Sequence, residues 1–161
     1  MVKNESILIT GGSGLLGVNW AMSIRDKYEV TLLLHQRKIS LQGVKTDFMP
    51  LNSLGECITA INKHQPDVVV HTAGLTSVEE CESNPGLAQE INVDLAKNIA
   101  IACNRQGVQL VHISTDHLSS GEESFVVEED GNAPVNNYAK TKLEGEQQVI
   151  ANCKDALVIR T

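Results

Sequence analysis

Apolar and polar residues follow one another along this chain in two different periods. Five short runs are almost wholly apolar, which is typical of strands covered on both faces. They lie at 6–10, 30–34, 67–71, 108–114 and 156–160. Between these runs, apolar residues recur every three or four positions, which predicts helices. The predicted helices cover 15–27, 53–64, 84–106 and 137–152.

This alternation of strands and helices predicts an α/β fold. Right-handed crossovers make a doubly wound parallel sheet the economical topology, a Rossmann fold with three α/β/α layers. Asn84 followed by Pro85 marks a helix start, and Gly107 marks its end. Gly145 is predicted to weaken the last helix by about 1 kcal/mol relative to alanine. A chain of 161 residues without repeats or linkers predicts a single domain, 1–161.

Charge and composition exclude several classes of partner. The formal net charge is −7 and there is no basic tract, so neither nucleic acid nor an anionic membrane is expected to bind. No run approaches the roughly 20 apolar residues of a membrane span, and residues 1–6 contain no long apolar stretch. We therefore expect a cytoplasmic protein. The acidic residues clustered at 122–130 are interpreted as a solvated loop.

The four cysteines show no pattern of a metal or redox site. They are Cys57, Cys81, Cys103 and Cys153. None belongs to a C-x-x-C pair, and none has the Cys/His spacing of a zinc site. We therefore expect reduced thiols in or near the core, and no bound metal.

The stretch TGGSGLLG at 10–17 is the strongest candidate binding motif. It follows a predicted strand and opens a predicted helix, the position at which a dinucleotide pyrophosphate is bound. Gly11 permits the tight turn, Gly14 lets the backbone approach the phosphates, and Gly17 lets the helix pack on the strand. The candidate cofactor contacts in this turn are Gly11, Ser13, Gly14, Leu15, Leu16 and Gly17.

The end of the second strand indicates which dinucleotide is preferred. NAD-binding domains place a carboxylate there, on the ribose 2′-hydroxyl, whereas this chain reads LHQRK at 34–38. Arg37 and Lys38 stand where a 2′-phosphate would lie, so we predict NADP(H) over NAD(H). The alternative is that both are merely exposed loop residues. Ala73 and Gly74, after the 67–71 strand, are small enough for the backbone to lie against the cofactor, although packing alone could explain them.

A second motif, YAKTK at 138–142, supplies candidate chemistry. Tyr138 and Lys142 are four residues apart and so share one helix face. An ammonium near a phenol favours the phenolate, which makes the phenol a usable proton donor and acceptor. Ser114 and Thr115 end the fifth strand, at the sheet edge where ligands bind. A hydroxyl there can hydrogen-bond the carbonyl that Tyr138 protonates.

Together these motifs make the chain resemble the extended short-chain dehydrogenase/reductases, and among them the dTDP-4-dehydrorhamnose reductase family. The matching stretches are ITGGSGLLG at 9–17, QPDVVVHTAGLTSV at 65–78, INV at 91–93, HISTD at 112–116 and NYAKTKLEGE at 137–146. The resemblance implies reduction of the 4-keto group of a nucleotide-linked deoxysugar with NAD(P)H. It implies that the partner is a small-molecule nucleotide-sugar, and it leaves room for a homodimer.

The resemblance also implies residue roles. Tyr138 would be the proton donor and Lys142 would hold the nicotinamide ribose, with Thr115 as assisting hydroxyl and Ser114 beside it at the cofactor. Further matches are Thr76 and Val78 near the substrate nucleotide or nicotinamide, and Asn92 in the following helix, with a buried polar role as the alternative. The family often has an acidic residue on the adenine side, where this chain departs from the pattern and offers Asn52 as the polar side chain. His117 replaces a usual aromatic, and we expect it to be a loop residue rather than to face the substrate.

Two other functions stay open. One is a sugar-nucleotide epimerase or dehydratase, although His117 stands where dehydratases carry a glutamate. The other is a non-catalytic dinucleotide-binding regulatory subunit, like the methionine adenosyltransferase β-subunit. Members of the resembled family continue past residue 161 into segments that build the sugar-nucleotide pocket, so we expect this chain to hold the cofactor half and to lack the C-terminal substrate half.

Overall fold

Six parallel strands form one sheet in the order β3-β2-β1-β4-β5-β6 in the computed structural model, which describes residues 5–121, 127 and 131–161. The strands are β1 (Ser6–Thr10), β2 (Glu29–Leu34), β3 (Lys45–Phe48), β4 (Val68–His71), β5 (Gln109–Ile113) and β6 (Leu157–Ile159). The five predicted strands are confirmed to within a residue or two at their ends. β3 was not predicted because its sequence, KTDF, has one apolar residue and lies exposed at the sheet edge.

The helices follow the predicted pattern with three differences, one of which is a short helix at 78–83 that was not predicted. They are α1 (Leu15–Ile24), α2 (Leu54–His64), α3 (Val78–Ser83), α4 (Pro85–Gln89), α5 (Leu95–Gln106) and α6 (Asn137–Asn152). α1 ends before the predicted 27 because the N–H groups of Lys27 and Tyr28 both bond back to the Ile24 carbonyl. The predicted 84–106 helix is α4 and α5 joined through a π-helical segment, Glu90–Asp94.

Apolar residues pack on both faces of the sheet, which confirms the three-layer Rossmann fold. On one face, Leu8, Val69 and Leu110 contact residues of α2, α5 and α6; on the other, Ile9 and Leu32 contact α1. All four cysteines are buried free thiols. The acidic cluster at 122–130 lies largely outside the described residues. None of the helices described is long and apolar enough to cross a membrane.

The order of the strands fixes where a ligand can bind. The chain runs outward from β1 to β2 and β3, then returns to β4 on the other side of β1. The carboxyl ends of β1 and β4 are therefore adjacent, with Thr10 in register with His71. In open α/β sheets, ligands bind in the crevice at this switch point.

Candidate functional site

The glycine-rich turn after β1 has the geometry that its sequence predicts. Gly11 has φ +67°, and a Cβ on it would lie 2.7 Å from the Ala73 backbone nitrogen. A Cβ on Gly17 would lie 2.9 Å from the Gly11 carbonyl oxygen. Gly14 is the N-cap residue of α1, and no side chain caps that helix. The first N–H groups of α1 are therefore left for another acceptor, and an anion suits them.

A cavity of about 300 Å³ opens beside this turn. It brings together six of the predicted cofactor residues, which are Gly11, Ser13, Gly14, Asn52, Ala73 and Gly74. The remaining candidates lie outside its wall. Among them, Leu15 and Leu16 are exposed on the first turn of α1, and Thr76 is exposed in the loop after β4.

Arg37 and Lys38 are both exposed and do not line the cavity. Lys38 instead holds its ammonium 5.9 Å from the centre of the Phe48 ring. The residue after β2 that does reach the cavity wall is His35. The charge pattern of the LHQRK stretch gave no reason to single out this imidazole.

Lys142 is buried on α6, and its ammonium donates a 2.6 Å hydrogen bond to the Ile113 carbonyl at the end of β5. Burial lowers its pKa to about 8, and the nearby Glu146 carboxylate opposes that shift. A Cβ on Gly74 would lie 4.0 Å from the Lys142 Nζ. The fold thus brings this lysine from α6 to the loop after β4, beside the cavity.

Tyr138 lies half-buried one helical turn before Lys142. The imidazole of His117 approaches its ring edge-on, with centroids 6.4 Å apart and planes at 87°. His117 is an exposed loop residue, as expected, but its ring is also the aromatic neighbour of Tyr138. Such edge contacts are worth roughly 0.5–1.5 kcal/mol when well packed.

Two hydroxyls at the end of β5 differ in their partners. Thr115 Oγ1 accepts a 3.2 Å hydrogen bond from the His117 backbone N–H, which leaves its own O–H free to donate. Ser114 Oγ is buried and has no hydrogen-bond partner among the described residues. A buried hydroxyl without a partner carries a desolvation cost that a ligand can remove.

Asn92 ties the loop after β4 to α6. It lies buried in the π-helical segment, where its Oδ1 accepts from the Leu75 N–H at 2.8 Å. Its Nδ2 donates to the Leu75 carbonyl and to Thr141 Oγ1, both at 3.1 Å. The buried polar role that we left open is therefore present. π-Helical turns of this kind are rare and are frequent at functional sites.

A pair of histidines lies beneath this site. His71 and His112 are in register on β4 and β5, buried, and stacked with ring centres 5.3 Å apart. Thr10 Oγ1 lies 2.6 Å from His71 Nδ1, and the other three ring nitrogens have no partner among the described residues. Burial, with the charge of Lys142, lowers the pKa of His112 to about 3 and holds that of His71 well below its usual value.

The family model described as the RmlD substrate binding domain matches residues 5–161. The chain belongs to that family. The resemblance drawn from the motifs is thus confirmed, since relatives of this chain are also named dTDP-4-dehydrorhamnose reductase.

This RmlD-family chain is similar to proteins with different names, of which three are described here. Methionine adenosyltransferase 2 subunit beta of Pongo abelii is 32% identical over 99% of this chain and 47% of its own length. The dTDP-4-dehydrorhamnose reductase of Salmonella typhimurium is 41% identical over 63% of this chain and 34% of its own. The crystal structure of the Bacillus anthracis dTDP-4-dehydrorhamnose reductase in complex with NADP is 25% identical, with a TM-score of 0.85, and the match covers 99% of this chain and 54% of that one. The chain spans less than half the length of the two curated relatives.

Proposed function

We propose that this chain is the dinucleotide-binding part of a reductase that reduces the 4-keto group of a nucleotide-linked deoxysugar, with NADP(H) as its cofactor. The observation that carries the proposal is the position of Lys142. Its buried ammonium is one helical turn from Tyr138 and lies at the carboxyl edge of the sheet, beside Gly74. A surface Tyr/Lys pair without chemistry would not explain this burial, because burying an ammonium is costly.

The residues present fit a nicotinamide dinucleotide. The uncapped start of α1 suits a pyrophosphate, and the cavity beside it has walls from the ends of β1, β2 and β4. The buried Ser114 Oγ without a partner supplies a hydrogen-bonding group on the β5 side. The bound dinucleotide would supply the hydride for the carbonyl carbon.

The chain's own residues supply the proton. Tyr138 donates its phenolic proton to the carbonyl oxygen, and the Lys142 ammonium stabilises the phenolate that remains. Thr115 has its O–H free because its oxygen already accepts from His117 N–H, so it can donate a second hydrogen bond to the same carbonyl oxygen. Asn92 holds the loop below in place through Leu75.

The preference for NADP(H) belongs to the same proposal. No carboxylate follows β2 in the LHQRK stretch, and Arg37 and Lys38 are solvent-exposed cations in the same loop. Exposed, flexible cations can turn toward a 2′-phosphate, whereas His35 stays at the cavity wall. The Bacillus anthracis relative was crystallised with NADP.

Titration of the chain with NADPH and NADH, followed by nucleotide fluorescence, tests the cofactor site. We expect NADPH to bind about tenfold more tightly, the equivalent of about 1.4 kcal/mol. Replacing Arg37 and Lys38 by glutamine should bring the two affinities together. The exposed Lys45 pairs with Glu29 at the amino-terminal ends of β3 and β2, away from the cavity. Its replacement by glutamine is the matched control. Equal affinities in the wild type would refute the assigned preference.

A second candidate is a non-catalytic dinucleotide-binding subunit that acts on a partner enzyme. The observation that favours it is the 32% identity to methionine adenosyltransferase 2 subunit beta over 99% of the chain. The full-length protein should be assayed with a dTDP-4-keto-6-deoxysugar and NADPH. Oxidation of NADPH supports the reductase. No oxidation, together with co-purification of a stoichiometric partner enzyme, supports the subunit.

A further inference from the structure

Two buried charged side chains lie one helical turn apart on α6. Lys142 and Glu146 are four residues apart and therefore share one face of the helix. They do not form an ion pair with each other, because the Lys142 ammonium donates to the Ile113 carbonyl. The Glu146 carboxylate instead accepts two hydrogen bonds from Arg160, from Nε at 3.0 Å and from Nη2 at 2.8 Å.

The ion pair of Glu146 and Arg160 joins the end of β6 to the helix that carries Tyr138 and Lys142. A guanidinium that donates two bonds to a carboxylate holds it in the ionised form, and the guanidinium itself stays charged. The Glu146 side chain is only 4% exposed, so solvent hardly screens its charge. Tying a strand to a helix would explain the pair, but it would not require the carboxylate to lie one turn from a buried ammonium.

The groups that face Lys142 from other elements do not supply a second buried anion. His71 on β4 and His112 on β5 are buried, and burial lowers both pKa values so far that the imidazoles are neutral near pH 8. Glu90 and Asp94, on the π-helical segment, are exposed at the cavity, where solvent screens their charges. Among the described residues, the buried anion that acts on the Lys142 ammonium is therefore the carboxylate one turn further along α6.

We propose that Glu146 is a positioning residue that keeps the Lys142 ammonium charged inside the fold, and that Arg160 limits this effect. Burial favours the neutral form of an amine, and a nearby fixed anion favours the charged form. The guanidinium cancels part of the negative charge that the ammonium experiences. The consequence for function rests on the proposed function, in which the charged Lys142 attracts the dinucleotide and stabilises the Tyr138 phenolate.

The charge of Lys142 can be measured without any cofactor, by NMR of protein with isotope-labelled lysines. The Cε resonance that disappears in Lys142→Met belongs to this residue, and its change with pH gives a midpoint expected at about 8. Glu146→Gln should lower the midpoint by about one pH unit, because the anion is lost. Arg160→Gln should raise it, because the carboxylate then acts without the opposing cation. An ion pair that only ties β6 to α6 would give shifts in the same direction, or none.

Glu144→Gln is the matched control. Glu144 carries the same charge on the same helix, but it is exposed, points away from Lys142 and accepts from Gln89 Nε2. The variant should leave the midpoint unchanged.

A double variant keeps the test decisive if Glu146→Gln does not fold. Arg160→Gln is then compared with the protein that carries both Arg160→Gln and Glu146→Gln, in which two amides replace the ion pair. These two proteins differ only in the charge at Glu146, so the midpoint should be lower in the double variant. Equal midpoints in this comparison would overturn the proposal, as would single variants that both move the midpoint in the same direction.

NADPH titrations of the same variants separate this proposal from the proposed function. The pH at which NADPH affinity declines should fall with Glu146→Gln and rise with Arg160→Gln. If the lysine midpoints move as expected but the wild type does not bind NADPH, the action of Glu146 on Lys142 is supported and the cofactor site is refuted.

Discussion

The charge on Lys142 depends on pH within the range where reductases are commonly assayed. Its pKa of about 8 in the fold means that the ammonium loses its proton as the pH rises through about 8. A cation near an anionic dinucleotide favours binding, and its neutral form does not. We expect the dissociation constant for NADPH to rise severalfold between pH 7 and pH 9.

The control for this effect is a lysine on the same helix. Lys142→Met should weaken binding at pH 7 and abolish the pH dependence, whereas Lys140→Met, at an exposed position, should leave both unchanged. Fluorescence titrations at several pH values give the answer. A wild-type dissociation constant that stays flat from pH 7 to pH 9 would contradict the assignment.

Tyr138 can be separated from cofactor binding because only its hydroxyl is assigned to proton transfer. In the full-length protein, Tyr138→Phe should lower turnover about 10²- to 10⁴-fold, the range for loss of a general acid. NADPH affinity should change less than threefold, since the ring and its contact with His117 remain. Tyr28→Phe, on the α1 face of the sheet, should behave as the wild type in both measurements.

At the scale of elements, the contact between α6 and the π-helical segment requires a glycine. Gly145 was predicted to weaken α6, and propensity alone favours alanine there. The structure gives the opposite sign, because a Cβ at this position would collide with the Asn92 backbone carbonyl oxygen. The residue keeps two helices close together, and no local signal in the sequence could have indicated this long-range contact.

Replacing Gly145 by alanine should therefore destabilise the protein, by roughly 1–3 kcal/mol for an overpacked contact. Gly55→Ala in α2 is the matched control, since its nearest atom would be 3.9 Å from the new Cβ. That change should leave stability unchanged or raise it by a few tenths of a kcal/mol. Urea unfolding measures both variants, and equal effects would show that the collision is relieved without cost.

At the scale of the whole molecule, the buried histidine pair should make the fold sensitive to acid. His71 and His112 have lowered pKa values in the fold, so the unfolded chain binds their protons first as the pH falls. The contribution of the two neutral imidazoles to the free energy of unfolding is therefore fully present above pH 6.5. Below pH 6.5 the free energy of unfolding falls by about 1.4 kcal/mol per pH unit for each imidazole. Urea unfolding at pH 7.5, 6.0 and 5.0 measures this slope.

His112→Leu should reduce the slope by about half, because one of the two imidazoles is gone. If His112→Leu does not fold, the wild-type slope alone still decides the matter. A wild-type protein equally stable at pH 7.5 and pH 5.0 would mean that the pair is not buried in its neutral form.

How much of the molecule the sequence predicts depends on the range of the interaction. The buried strands and the glycine-rich turn are local patterns, and both were found. β3 is polar and exposed, so it has no hydrophobic period to detect. The π-helical segment reads as ordinary helix because a single inserted turn barely disturbs the spacing of apolar residues.

The candidate site divides in the same way. Motif residues such as Gly11 and Lys142 were found because their spacing is local. Asp94, at the end of the π-helical segment, and Asn98, in α5, line the cavity because these helices pack against the sheet. The four-residue spacing of these two polar residues was the local signal that could have indicated it. His35 was overlooked because its two cationic neighbours, Arg37 and Lys38, offered a simpler electrostatic interpretation.

The hydrogen bonds of the Asn92 side chain have a mechanical consequence. The Asn92 amide joins the loop after β4, at Leu75, to Thr141, the residue directly before Lys142 on α6. If α6 tilts, these hydrogen bonds would move the loop after β4 together with the helix. The distance between the Tyr138 hydroxyl and a ligand bound against this loop would therefore stay the same when the cavity opens or closes.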